Sequence, residues 1–203
     1  GGGIAQLNSP CTTSKARGVT GSPNPVGDPF DVDYVAHEMG HQYGATHTQV
    51  NNCQRSTVSA MEPGSASTIM GYAGICSPNV QNFSDAYFHA ISKQQIDNFI
   101  AGGGNCSQNV ANNNPTPIIQ PLQNFTIPAS TPFVLEANAS DPNGGILTYT
   151  WEQMNNEINF PQPPQPGNAG GPMFRSFFPN ASSARFFPNL NAILSGANQT
   201  TWE

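Results

Sequence analysis

Charge is scarce in this chain and lysine is nearly missing. Asp, Glu, Lys and Arg make up 9% of the 203 residues, against about a quarter in ordinary globular domains. Lysine stands only at Lys15 and Lys93, and the net charge of −6 is spread without a block of either sign. A protein that gripped nucleic acid or an anionic membrane would need the basic patch that is missing here. No apolar run approaches the eighteen or so residues that cross a bilayer as a helix. The four cysteines show no C-x-x-C spacing, which argues against a structural zinc cluster and for disulfides in an oxidising compartment. The chain also opens Gly1-Gly2-Gly3-Ile4, with no initiator methionine and no charged or apolar signal-peptide segment. It therefore reads as an excised piece of a longer, secreted precursor.

Histidine is rare too, but what there is of it is concentrated. Three of the four histidines fall in His37-Glu38-Met39-Gly40-His41-Gln42-Tyr43-Gly44-Ala45-Thr46-His47. On an α-helix, positions i and i+4 share a face, so His37 and His41 aim both imidazoles at one point. His47 lies ten residues past His37, about 15 Å along a continuous helix, much too far to share a zinc ion with ligand distances of about 2.1 Å. Gly44 removes that obstacle, because glycine adopts the left-handed conformation that stops a helix and swings the chain back. Glu38, beside the first ligand, is placed to take a proton from a zinc-bound water. The alternative is an amphipathic helix with incidental histidines, and three of four histidines in one pattern weigh against it.

Around this stretch the chain divides. Gly1 to Leu7 is expected as one short strand, Thr12 to Pro29 as a long polar loop, and the histidine helix as running from about Val32 to Tyr43. Asp28, Asp31 and Asp33 precede it, where acids favour the positive end of the helix dipole; a calcium ion held by these three carboxylates is the second reading. After a polar excursion come Ser67-Thr68-Ile69-Met70-Gly71-Tyr72-Ala73-Gly74. Met70, flanked by glycine, is the methionine of a tight turn below the metal site, the alternative being ordinary core filling. Tyr72 stands two places on, where its hydroxyl is expected to face the metal as a ligand or an oxyanion donor, the alternative being a packed surface tyrosine. Ser92 and Gln95 form an S-x-x-Q capping box for a second helix, with Ile91, Ile96, Phe99 and Ile100 as its apolar face and Gly102-Gly103-Gly104 as its end. His89 has no partner at ligand spacing and is expected to be a structural or surface residue. Residues 111–117 read as a linker. Beyond it the pattern turns to period two, with strands expected at 132–137, 146–151, 174–178 and 185–187 around a buried Trp151, the signature of an immunoglobulin-like sandwich. The N-x-S/T triplets at Asn82, Asn105, Asn124, Asn138, Asn180 and Asn198 carry little weight in so Asn-rich a chain.

From Gly1 to about Cys106 the chain resembles a metzincin metallopeptidase, on HEMGHQYGATH, TIMGY and the cysteine layout. That layout is similar to the adamalysin (reprolysin) branch, in particular its secreted bacterial members with trailing immunoglobulin-like or PKD-like domains. The resemblance implies the pairs Cys11–Cys106 and Cys53–Cys76, closing loops of roughly 96 and 24 residues. It also implies an α+β catalytic module over 1–110 that lacks its N-terminal part, since little more than an edge strand for substrate and a loop precede His37. A linker at 111–117 and an incomplete all-β immunoglobulin/PKD-like sandwich over 118–203 complete the expectation. Two positions depart from the adamalysin pattern: Thr48 stands where those proteins usually carry Asp, and the placement of Tyr72 is typical of astacins and serralysins. The expected function is a secreted zinc endopeptidase acting on proteins or peptides through a zinc-activated water. The alternative is a non-catalytic zinc-containing adhesion or matrix protein, which the intact Glu38 argues against.

Overall fold

Glycine and proline set the first elements. In the computed structural model, which describes residues 1–197, 201 and 202, strand β1 (Gly2–Ala5) pairs antiparallel with β2 (Gly18–Gly21), with Gly3 opposite Thr20 and Ile4 opposite Val19. The first strand is where the sequence placed it. The second lies inside the segment expected as a loop, because four residues bounded by glycines give no readable alternation. Both strands pack against the histidine helix. The Asn198 triplet falls outside the described residues.

The helix begins earlier than expected. It is continuous from α1 (Asp28–Phe30) through a π-wound stretch (Asp31–Ala36) to α2 (His37–Gln42). Pro29 at its first turn supplies a preset φ where no N–H bond is needed. Asp28, Asp31 and Asp33 fall in the first turns, as the dipole favours. The far end closes in a Schellman motif: Ala45 N–H donates to Gly40 O and Gly44 N–H to His41 O, both at 2.9 Å. Gly44 has φ +93°, so the residue read from sequence as the helix stop adopts the left-handed conformation.

From Ser59 to Gly71 every residue is buried, although the stretch contains neither helix nor strand. It is held by backbone bonds to the chain after His47, with Thr48 N–H donating to Met70 O, Glu62 N–H to Thr48 O and Val50 N–H to Glu62 O. The apolar core lies where this loop meets the helices: Ala45, Ile69 and Met70, with Val32, Ala36, Phe88 and Ile96 packed around them. Helix α3 (Ala90–Gly102) supplies Ile96. Its N-cap is His89, whose ring accepts from Ile91 N–H at 3.2 Å. Ser92 of the expected capping box is instead buried one turn inside the helix, and Gln95 reaches across to accept from Thr46 N–H at 2.9 Å. The disulfides are Cys11–Cys106 and Cys53–Cys76.

Beyond Pro117 the described residues form no pair of facing sheets. β3 (Ile118–Ile119) pairs with β5 (Ala139–Ser140), β4 (Phe133–Glu136) pairs with β6 (Ala184–Phe187), and α4 (Leu190–Leu194) follows. The strand expected at 146–151 is reduced to one bridge between Tyr149 and Asn180, and Phe174–Phe178 joins no ladder. Trp151 is half-buried and donates to Ser183 O. Main-chain donors that a ladder at 174–178 would use are taken by side chains: Met173 and Phe174 N–H both donate to Gln153 Oε1.

Candidate active site

Each of the three helix-motif histidines is oriented by a backbone carbonyl. His37 Nδ1 lies 2.7 Å from Ile69 O, His41 Nδ1 2.8 Å from Ala45 O, and His47 Nδ1 2.7 Å from Gln54 O. A carbonyl only accepts, so each Nδ1 carries the proton and each Nε2 presents a bare lone pair. Those nitrogens converge. The His41 and His47 Nε2 atoms are 3.0 Å apart, and one ligand atom from each ring lies within 4.8 Å of the others. Two lone pairs facing each other without a proton between them repel; a cation between them turns the repulsion into coordination.

Electrostatics agree with the geometry. Burial, then the neighbouring His41, pulls the pKa of His37 down to about 3. Burial lowers His41 to about 4 and lowers His47 as well. All three rings are therefore neutral at ordinary pH, the state in which imidazole binds metal. Three nitrogen ligands with room for a fourth match catalytic zinc.

Glu38 follows His37 on the helix and is 9% exposed. Burial raises its pKa, and its Oε2 has no hydrogen-bond partner. A buried carboxylate oxygen without a partner keeps its accepting capacity, and Glu38 lines the neighbouring cleft. That cleft, of about 600 Å³, is lined by Gly1 to Gly3, His37, Glu38, Tyr72 and the chain to Ile75. Tyr72 stands with its ring 4.5 Å from that of His47 and 5.9 Å from that of His37. Burial and the nearby Glu38 raise its pKa, keeping the phenol protonated and able to donate.

Met70 is fully buried and sits beneath the histidine helix at a point where Gly40 leaves room for it. A Cβ at Gly40 would overlap the Met70 thioether.

The first 110 residues, more than half the chain, match the model of the metallopeptidase family M12B, described as reprolysin-like. The chain belongs to that family. Searches of curated proteins and of solved structures gave no significant match. In this reprolysin-like chain Asp28, Asp31 and Asp33 form no second group of potential metal ligands among the described residues. Asp33 is used instead to accept from Ser84 N–H at 2.8 Å, so the calcium reading finds no support. His89 is buried and structural, its Nε2 3.9 Å from Glu152.

Sequence reading missed four contributors. Ile69, Ala45 and Gln54 act through backbone carbonyls, which residue identity does not reveal. The fourth is Glu62, hidden in a stretch that read as a polar excursion. Thr48, the departure from the adamalysin pattern, donates its hydroxyl to this carboxylate at 2.6 Å.

Proposed function

We propose that this protein is a secreted zinc endopeptidase, with the catalytic portion in residues 1–110, a linker at 111–117 and an accessory region from 118 to 203. The observation that carries the reading is the set of three Nε2 lone pairs turned on one point beside an unpartnered Glu38. His37, His41 and His47 would hold the metal. Zinc there supplies Lewis-acid polarisation of the scissile carbonyl and a water of lowered pKa. Glu38 accepts the water's proton as its oxygen attacks the carbonyl carbon, and delivers that proton to the leaving amine as the C–N bond breaks. Tyr72 donates its phenolic hydrogen toward the oxygen on which charge develops. The outer edge of β1 joins no strand among the described residues, and Gly1 to Gly3 line the cleft without side chains. An extended peptide can add to that edge through main-chain hydrogen bonds. The two disulfides support an extracellular setting, and no helix among the described residues is long and apolar enough to cross a membrane.

Glu38→Gln tests the mechanism. The variant is expected to keep one zinc per chain and to lose peptide hydrolysis by at least about a hundredfold. Hydrolysis that survived with zinc bound would refute it. Tyr72→Phe should lower kcat by about ten- to a hundredfold with zinc affinity unchanged; a fall in zinc affinity instead would make Tyr72 a ligand.

A further inference from the structure

We propose that Glu62 is a positioning residue of the zinc site, a single buried carboxylate that sets the first and third ligands together. The inference rests on the zinc reading above and goes beyond it. Glu62 is 1% exposed, a position that a carboxylate occupies only when its oxygens are satisfied. Both are. Oε2 accepts from Thr48 Oγ1 at 2.6 Å and from Thr68 Oγ1 at 2.5 Å. Oε1 accepts from Ser67 N–H at 3.0 Å.

The donors matter for what they adjoin. Thr48 directly follows His47. Thr68 directly precedes Ile69, whose carbonyl fixes the His37 ring, and Met70, whose carbonyl accepts from Thr48 N–H. The Glu62 main chain also bonds to Thr48 O and Val50 N–H. One side chain thus joins the chain leaving the third ligand to the turn that orients the first. No other side chain spans those two segments in this way among the described residues. Partners one step outside a metal's ligands commonly change affinity by about ten- to a hundredfold when removed. Glu62 acts through the chain neighbours of its ligands, so the lower end of that range is expected.

The test uses the full chain and measures zinc by competition with a chromophoric chelator, with the visible spectrum of the cobalt-substituted protein as a second readout. Glu62→Gln keeps the volume but offers one acceptor oxygen in place of two. It should bind zinc about tenfold more weakly and shift or broaden the cobalt bands. Thr48→Val, which removes one donor and leaves the carboxylate in place, should move both readouts in the same direction by less, and Thr48→Ser should restore them. If Glu62→Gln does not fold, the Thr48 pair decides. A folded Glu62→Gln or Thr48→Val variant with wild-type zinc affinity and an unchanged cobalt spectrum overturns the proposal and leaves the peptidase reading standing. A wild-type chain that binds no zinc overturns both.

Discussion

A buried imidazole without a metal is a liability in acid, and this site contains one, His37, with His41 and His47 half-buried beside it. His37 is the extreme case, with a folded pKa of about 3 against about 6.5 in an unfolded chain. Between those values the unfolded state binds a proton that the folded state refuses. Stability is therefore fully present above about pH 6.5 and is lost progressively as pH falls toward 3. His41, lowered to about 4, adds to the same trend. Chelator-treated protein should melt markedly lower at pH 4.5 than at pH 7, and added zinc should raise the melting point strongly at pH 7 and weakly at pH 4.5. His37→Leu should flatten the pH dependence of the metal-free protein; a wild-type slope in that variant would remove His37 as its source. At this scale the histidine cluster was legible, because metal chemistry demands particular side chains at helical spacing. The carbonyls of Ile69, Ala45 and Gln54 were not, since every residue carries one. Glu62 was illegible for another reason: its donors lie up to fourteen residues away in a loop with no period to read.

Helix ends and helix contacts are where local grammar and tertiary structure compete. Gly44 was readable because a left-handed stop is a demand on one residue. The capping box at Ser92 and Gln95 was misleading because Gln95 is taken by Thr46 from across the site, while His89 caps the helix three residues earlier. Gly40 illustrates the competition in energy. In isolation, glycine to alanine inside a helix gains about 1 kcal/mol. Here the new methyl would overlap Met70 and press on Phe88, and overpacking a filled core costs about 1 to 3 kcal/mol. Packing wins on these magnitudes. Gly40→Ala is expected to lower stability by about 1 kcal/mol and to weaken zinc binding, because the displaced turn carries the Ile69 carbonyl. A Gly40→Ala protein more stable than wild type, by denaturant titration, would show that the turn yields freely.

The C-terminal region is not indifferent to the catalytic portion, and the period-two pattern that suggested an independent sandwich concealed this. Glu152 accepts from Ala90 N–H at 2.6 Å at the start of α3, and from Ser176 Oγ. Tyr87 OH donates to Ser176 Oγ at 2.6 Å, and Ser67 Oγ of the Glu62 cluster donates to Ser176 O at 3.0 Å. Ser176 is itself buried. Alternation reports which face of a strand is apolar, but it carries no information on what a polar side chain will reach, so these ties had no signature. Their removal can be weighed. In a chain ending at Val110, water would replace the lost partners, leaving only the net worth of each bond. That is about 0.5 to 1.5 kcal/mol for a neutral pair and about 1.5 to 3 when one partner is charged. Together the losses come to about 2.5 to 6 kcal/mol, which in a domain of this size lowers the melting temperature by about 10 °C or more. The shortened chain should still bind zinc, since every proposed ligand and orienting carbonyl lies before Gln81. Glu152→Gln in the full chain should reproduce part of the loss. A truncated protein melting within about 2 °C of the full chain would mean that the C-terminal region only rests on the catalytic portion, and that the ordering of α3 and the buried loop owes it nothing.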